Sequence, residues 1–227
     1  MNKTSSQESK KKSLSSMIEI CRSELIQFYA IECIFKNITS IDKKMEGSSI
    51  EAKYIVQSTA LVFQSSLILS VCKIWDTNKS TASLINCDKV FREIKSYIIA
   101  SRKKITDHFD IIEIEDLMVD YRNNKSKKYK YLEHFFSIRN NFIAHRNKSK
   151  NLGIKSIEGQ FISENELKVV FLLASDAKKI ISKYANILEI EDNIDAISAY
   201  NRILTQDFVN NLLQSPKDIS GANSVSC

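Results

Sequence analysis

Two hundred and twenty-seven residues with a mass of 26.0 kDa suit one domain of ordinary size, with chain enough for a single substantial core and too little for two. Glycine contributes 4 residues and proline 1, where average usage would supply roughly 27 together, so the turn-formers that sandwiches, barrels and alternating βα units consume are missing and an all-helical domain is expected. Apolar residues at 43% and charged residues at 26% describe a globular chain, and a net charge of +6 makes the placement of that charge the informative quantity.

In chain order, residues 1–12 are polar, end in Lys10, Lys11 and Lys12, and lead into no apolar stretch, which predicts a flexible basic tail and no secretory signal. Apolar positions at helical spacing (Leu14, Met17, Ile18, Leu25, Phe28, Tyr29) then predict a long helix over Ser13–Asn37. Gly47 and its serines mark a loop. A second helix follows from about Ile50 to Trp75, apolar around much of its circumference. The uncharged run Tyr54–Cys72 is nearly long enough to span a bilayer, but Gln57, Gln64 and several serines interrupt it, so it reads as a buried central helix and no membrane is expected. Asp76–Ser83 reads as a turn; Val90, Phe91, Ile94, Tyr97 and Ile98 form the stripe of a third helix ending near Arg102.

A shorter helical pattern covers Ile112–Tyr121, and after the basic run Asn123–Lys128 a helix spans about Lys130 to Asn147. Gly153 and Gly159 bracket a loop in which a short strand pair is an option. Ser163 and Glu166 have capping-box spacing, with Ile162 and Leu167 at staple positions, so a helix starts at Glu164 and runs to Leu188. A final amphipathic helix covers about Asp192–Leu213. The helical domain is thus expected over 13–213, with 214–227, containing Pro216, as a mobile tail. Five cysteines (Cys21, Cys33, Cys72, Cys87, Cys227) without a C-x-x-C pair, and three histidines, predict reduced thiols in a cytoplasmic protein and neither metal nor cofactor.

The charge is concentrated. Between Arg122 and Lys150 stand Arg122, Lys125, Lys127, Lys128, Lys130, Arg139, Arg146, Lys148 and Lys150 against Glu133 alone, so the stretch is +8 and the remainder of the chain −2. A local field of that kind suits a polyanion, phosphate backbone first of all; a solvated lysine-rich loop is the plainer reading. Inside the stretch lies Arg139-Asn140-Asn141-Phe142-Ile143-Ala144-His145. Six positions put Arg139 and His145 about 120° apart around a straight helix and about 9 Å apart along it. A phosphate site using both therefore needs the arginine to bend round the helix, or the same helix of a second subunit to face it across a two-fold axis. An imidazole near neutrality, a guanidinium for phosphate charge and an amide to orient the reacting groups suffice for RNA cleavage without metal. The plainer reading makes His145 a helix-end cation and Arg139 a surface charge.

Arg139-Asn140 followed by Ala144-His145-Arg146 resembles the HEPN superfamily signature. With Ile74-Trp75-Asp76, Ser83-Leu84 and the helix beginning near Ser163, the likeness is to the AbiU-type abortive-infection branch, from about the first helix to Leu188. The resemblance implies an all-helical HEPN bundle and a homodimer with paired motifs in a cleft. It also implies metal-independent endoribonuclease activity of toxin or phage-defence type, with an antitoxin or partner defence protein. Arg139, Asn140 and His145 carry over as catalytic residues; Lys125, Lys127, Lys128, Lys130, Arg146 and Lys148 are the expected RNA contacts, and Asp76 and Asn141 the expected supports. Many toxins of the superfamily carry a tyrosine two places after the histidine that an antitoxin modifies; here that place is Asn147, so such control is not implied. A catalytically silent RNA-binding or regulatory HEPN subunit is the alternative, and a purely structural interaction protein the third reading.

Three further positions carry expectations. Trp75 is expected in the core. Asp76, at a helix carboxyl end, opposes the dipole and calls for a partner, either turn amides near Asn78 or a cation such as Arg139. His134 shares a face with His145, and Tyr129, Tyr131, Phe135 and Phe136 are either base-stacking platforms or core.

Overall fold

The computed structural model describes residues 3–45, 47–101, 105–148 and 162–214, with side chains throughout except at 3–4, 105–107, 141–148 and 208–214. Among the described residues there are seven helices and no strand: α1 Lys3–Lys44, α2 Ile50–Ile74, α3 Leu84–Ser101, α4 Ile105–Arg122, α5 Lys127–Lys148, α6 Glu164–Leu188 and α7 Ile194–Gln214. The all-helical expectation is met. The loop with Gly153 and Gly159, and the tail from 215 onward, lie outside the described residues.

α1 begins at Lys3, well before Ser13, so the segment expected as a basic tail is helical from residue 3. Apolar spacing does not register these turns because polar groups attach them: Lys10 pairs with Glu93 at 2.6 Å, and the Tyr97 hydroxyl donates to Glu8 at 2.7 Å. α1 packs against α2, α3, α6 and α7. Gly47 turns the chain between α1 and α2 with φ +90°, a conformation that side chains resist. Ser49 then caps α2, accepting from the Ala52 N–H at 3.2 Å.

α2 and α6 share the centre of the bundle, but only the carboxyl half of α2 is buried. From Ala60 onward it contributes Leu67, Ile68, Val71, Cys72 and Ile74, whereas Ile50, Tyr54, Ile55 and Val62 are exposed. This departs from the expected buried central helix, and the offset between α2 and α6 accounts for it: the Ile162 N–H, just ahead of α6, donates to Gln64 at 3.3 Å, so α6 begins beside the middle of α2 and covers only the carboxyl half. α2 is also long and apolar enough to cross a membrane, with 44% of its most apolar window buried.

α6 carries the longest buried stripe: Val170, Leu173, Ala174, Ala177, Ile180, Ile181, Tyr184, Ile187 and Leu188. Its start is fixed by the expected capping box. The Ser163 hydroxyl accepts from the Glu166 N–H at 3.2 Å and the Glu166 carboxylate accepts from the Ser163 N–H at 2.7 Å, while Ile162 is buried and Leu167 packs on the core. The Ser163 hydroxyl and N–H, joined by His134, hold the Glu166 carboxyl below the usual carboxylate range. As pH falls the unfolded chain therefore takes up this proton before the folded one, and the cap's contribution, complete above the ordinary glutamate pKa, is lost through the depressed one. Ser163→Ala should cost about 1 kcal/mol in urea denaturation at neutral pH. Glu166→Gln should flatten the loss of stability as pH falls through and below the ordinary glutamate pKa; an unaltered slope would show that the cap bonds contribute nothing.

Two carboxylates sit inside the bundle. Asp88 of α3 is almost fully buried and receives Arg122 in a two-pronged contact at 2.9 and 2.5 Å, with Arg92 at 3.1 Å. Asp176 of α6 accepts from the Tyr121 hydroxyl at 2.7 Å and from Lys128 at 3.0 Å. Both stand on apolar stripes, Asp88 between Leu84 and Phe91, Asp176 between Leu173 and Ile180. A charge on such a stripe calls for a partner brought from elsewhere in the chain. The Tyr121 ring also stacks on Trp75, centroids 3.8 Å apart, and the Trp75 indole N–H donates to the Leu173 carbonyl at 3.2 Å. Trp75 is thereby fully buried, as expected.

Candidate nucleic-acid and active site

α5 is continuous from Lys127 to Lys148, so Arg139 and His145 share one uninterrupted helix, and the angular separation of about 120° applies. Leu132 and Phe135 anchor the helix in the core, with Phe136, Ile138 and Tyr131 packed at its edge, so these aromatics are largely structural. Ser126 starts α5, its hydroxyl accepting from the Tyr129 N–H at 3.1 Å.

Arg139 is held on three sides. Its Nε donates to Asn140 Oδ1 at 3.2 Å, its Nη1 lies 3.6 Å from Asp76 Oδ2, and its guanidinium sits 5.1 Å from the centroid of the Phe136 ring. About a quarter of the side chain remains exposed. The arginine and asparagine of the motif are thus in contact, and Asp76 joins them from the α2–α3 turn. Asp76 satisfies both partners that its position at a helix end calls for, since its Oδ1 also accepts from the Asn78 N–H at 3.1 Å. Beneath them, burial pushes the Cys72 thiol up to about 12, against the opposing pull of Arg139, so this cysteine stays protonated and packs as an apolar group. Cys21, Cys33, Cys72 and Cys87 are all free thiols. Among the described residues no group of three His, Cys, Asp or Glu is placed to hold a metal ion.

His145, Asn141, Arg146 and Lys148 lie on α5, but their side chains fall outside the described residues. His134, on the His145 face, pairs with Glu166 at 2.7 Å and is thereby engaged at the start of α6.

The expected RNA-contacting lysines divide. Lys125, Lys127 and Lys130 are exposed, with Lys127 also 5.9 Å from the Tyr131 ring centroid. Lys128 turns inward to Asp176 and, at 3.4 Å, to Asp120, and lies 5.5 Å from the Tyr121 ring centroid. Burial alone would lower its ammonium pKa; the two carboxylates outweigh that and raise it. Arg122 is likewise occupied by Asp88. Two of the nine positive charges in this stretch therefore balance buried carboxylates.

The HEPN_AbiU2 family model, described as AbiU2, matches residues 28–193, from α1 to the residue before α7. The chain belongs to the HEPN AbiU2 family. No curated protein and no solved structure gives a significant match. As an AbiU2-type HEPN chain, it carries the Arg139-Asn140 and Ala144-His145 motif on a helix packed beside the α2 carboxyl end, and Trp75-Asp76, far away in sequence, adjoins that motif. Arg122 and Lys128 took part in the sequence-level charge excess, and their structural roles escaped it. The available signal was the pair of acids, Asp88 and Asp176, on apolar stripes.

Proposed function

We propose that this HEPN AbiU2 chain is a metal-independent endoribonuclease of toxin or phage-defence type, acting in the cytoplasm as a homodimer in which paired α5 helices form the cleft. The observation that carries this reading is Arg139. A guanidinium ordered by Asn140, Asp76 and Phe136, yet still in reach of solvent, is arranged to meet a phosphoryl group without reorganising. His145 removes the proton of a ribose 2′-hydroxyl, that oxygen attacks the adjacent phosphorus, and Arg139 stabilises the charge growing on the phosphoryl oxygens. Asn140 orients the reacting groups. The P–O5′ bond breaks and the leaving 5′-oxygen takes a proton from water, while the imidazolium of His145 returns its proton to solvent, giving a 2′,3′-cyclic phosphate and a 5′-hydroxyl. An antitoxin or partner defence protein would restrain the activity.

The exposed lysines provide the approach. Each neutralised phosphate releases counterions, so log affinity should fall linearly with log salt. Changing Lys125, Lys127 and Lys130 together to Ala should reduce that slope by about 2 on single-stranded RNA. Lys128→Ala should leave the slope unchanged while lowering stability, because it strips a partner from buried Asp176. RNA binding measured by fluorescence anisotropy over a salt series decides between these residues. RNA bound but never cut would favour the silent-subunit reading, and no salt-sensitive binding would exclude both.

A further inference from the structure

We propose that Asp76 is the positioning residue of the Arg139 site: from a rigid turn it sets the direction in which the guanidinium presents its donors to the phosphoryl group. This rests on the nuclease reading of the Arg139 and His145 pair.

The turn between α2 and α3 is solvent-facing at Thr77, Asn78, Lys79 and Ser80, yet it is heavily braced. The Ser83 hydroxyl, fully buried, donates to the Asp76 carbonyl at 2.6 Å. The buried Asn86 amide donates to the Asn78 carbonyl at 2.6 Å and to the Thr81 carbonyl at 2.9 Å. Asn78 Oδ1 accepts from both the N–H and the hydroxyl of Ser80, and the Thr81 hydroxyl donates back to the Asn78 carbonyl at 2.7 Å. On the other side, Asp76 follows Trp75, which the Tyr121 stack and the Leu173 carbonyl immobilise. These bonds hold an otherwise exposed turn in one conformation, as a loop that carries a functional side chain on a rigid scaffold requires. What they fix is the Asp76 carboxylate, whose Oδ1 is committed to the Asn78 N–H and whose Oδ2 faces Arg139.

The 3.6 Å separation has a consequence of its own. It is longer than a tight charge-assisted hydrogen bond, so Asp76 orients Arg139 electrostatically without closing around it. A negative charge so near an anion-binding arginine should weaken ground-state attraction for phosphate. An aligned guanidinium, by contrast, contributes most when charge accumulates on the phosphoryl oxygens. Positioning therefore shows as a split between kcat and KM, which a role confined to the turn does not produce.

Asp76→Asn removes the charge while an amide oxygen remains to accept from the Asn78 N–H, so its melting temperature should match that of the wild type. We expect kcat on a short single-stranded RNA to fall about tenfold with KM unchanged or lowered, and the effect to vanish in the Arg139→Ala background, whose residual rate serves as the reference. Independently of any cleavage, the Arg139 Nη resonances, assigned by their loss in Arg139→Ala, should shift and exchange faster with solvent in Asp76→Asn, because Nη1 is the nitrogen that faces Asp76. An unchanged kcat overturns the proposal, as do unchanged Arg139 resonances. Should the wild type cleave no RNA, the nuclease reading fails by itself, and the resonances alone decide whether Asp76 positions Arg139.

Discussion

His145→Ala and Arg139→Ala should each lower the RNA cleavage rate by about a hundredfold or more, with the smaller loss of RNA affinity in the histidine variant. Removing the imidazole eliminates the proton acceptor for the 2′-hydroxyl but little ground-state binding, whereas removing the guanidinium takes away both phosphate attraction and transition-state charge stabilisation. Because the two residues stand about 120° apart on one continuous helix, a site combining Arg139 of one subunit with His145 of the other makes a sharper test possible. Mixed and allowed to exchange subunits, the two inactive variants should recover about a quarter of wild-type activity: half the dimers are then mixed, and each mixed dimer has one of its two sites intact. No recovery despite demonstrated exchange would place both residues in a single chain's site. A substrate with one 2′-deoxy sugar at the cut should resist cleavage, chelator should leave the rate unaltered, and the products should carry the cyclic phosphate. Cleavage of the deoxy substrate at the normal rate would require another nucleophile.

The largest stability effect is expected at Trp75. Trp75→Ala removes a fully buried indole, its stack on Tyr121 and its bond to the Leu173 carbonyl, and leaves a cavity at the junction of α2, α4 and α6. The loss should be about 3–5 kcal/mol, which for a chain of this size corresponds to roughly 6–20 °C in melting temperature. Trp75→Phe should recover a large part, because a ring still meets Tyr121. Thermal denaturation followed by far-ultraviolet circular dichroism measures both. Since Asp76 is the next residue, Trp75→Ala should also depress cleavage at temperatures where the chain remains folded. A cost below about 1 kcal/mol would mean that the stack does not organise this junction.

Much of this architecture is local information. A period of 3.6 in apolar residues says which face of a segment seeks the core, and Leu14, Ile18, Leu25 and Phe28 in α1, or Val170, Leu173, Ala177 and Ile180 in α6, all end fully or nearly fully buried. The capping box at Ser163 and Glu166 was equally readable, because a cap is a contact between residues three apart. The early start of α1 was not, since its first turns are attached to α3 by Tyr97 and Glu93 and carry no apolar stripe.

Helicity, the course of the motif helix and the sharing of that helix by Arg139 and His145 are all legible in local residue order. Packing settled which of the described charges are engaged and which stay exposed. Lys125 and Lys128 look alike in a basic run, but Lys128 meets Asp176, 48 residues on, while Lys125 remains exposed. Arg122 meets Asp88 across 34 residues, and Arg139 acquires Asp76 from a turn that no helical period connects to it. Periodicity reports which side of a segment is apolar; a charge takes its role from the partner that packing brings to it, and that partner can be a residue far away in sequence.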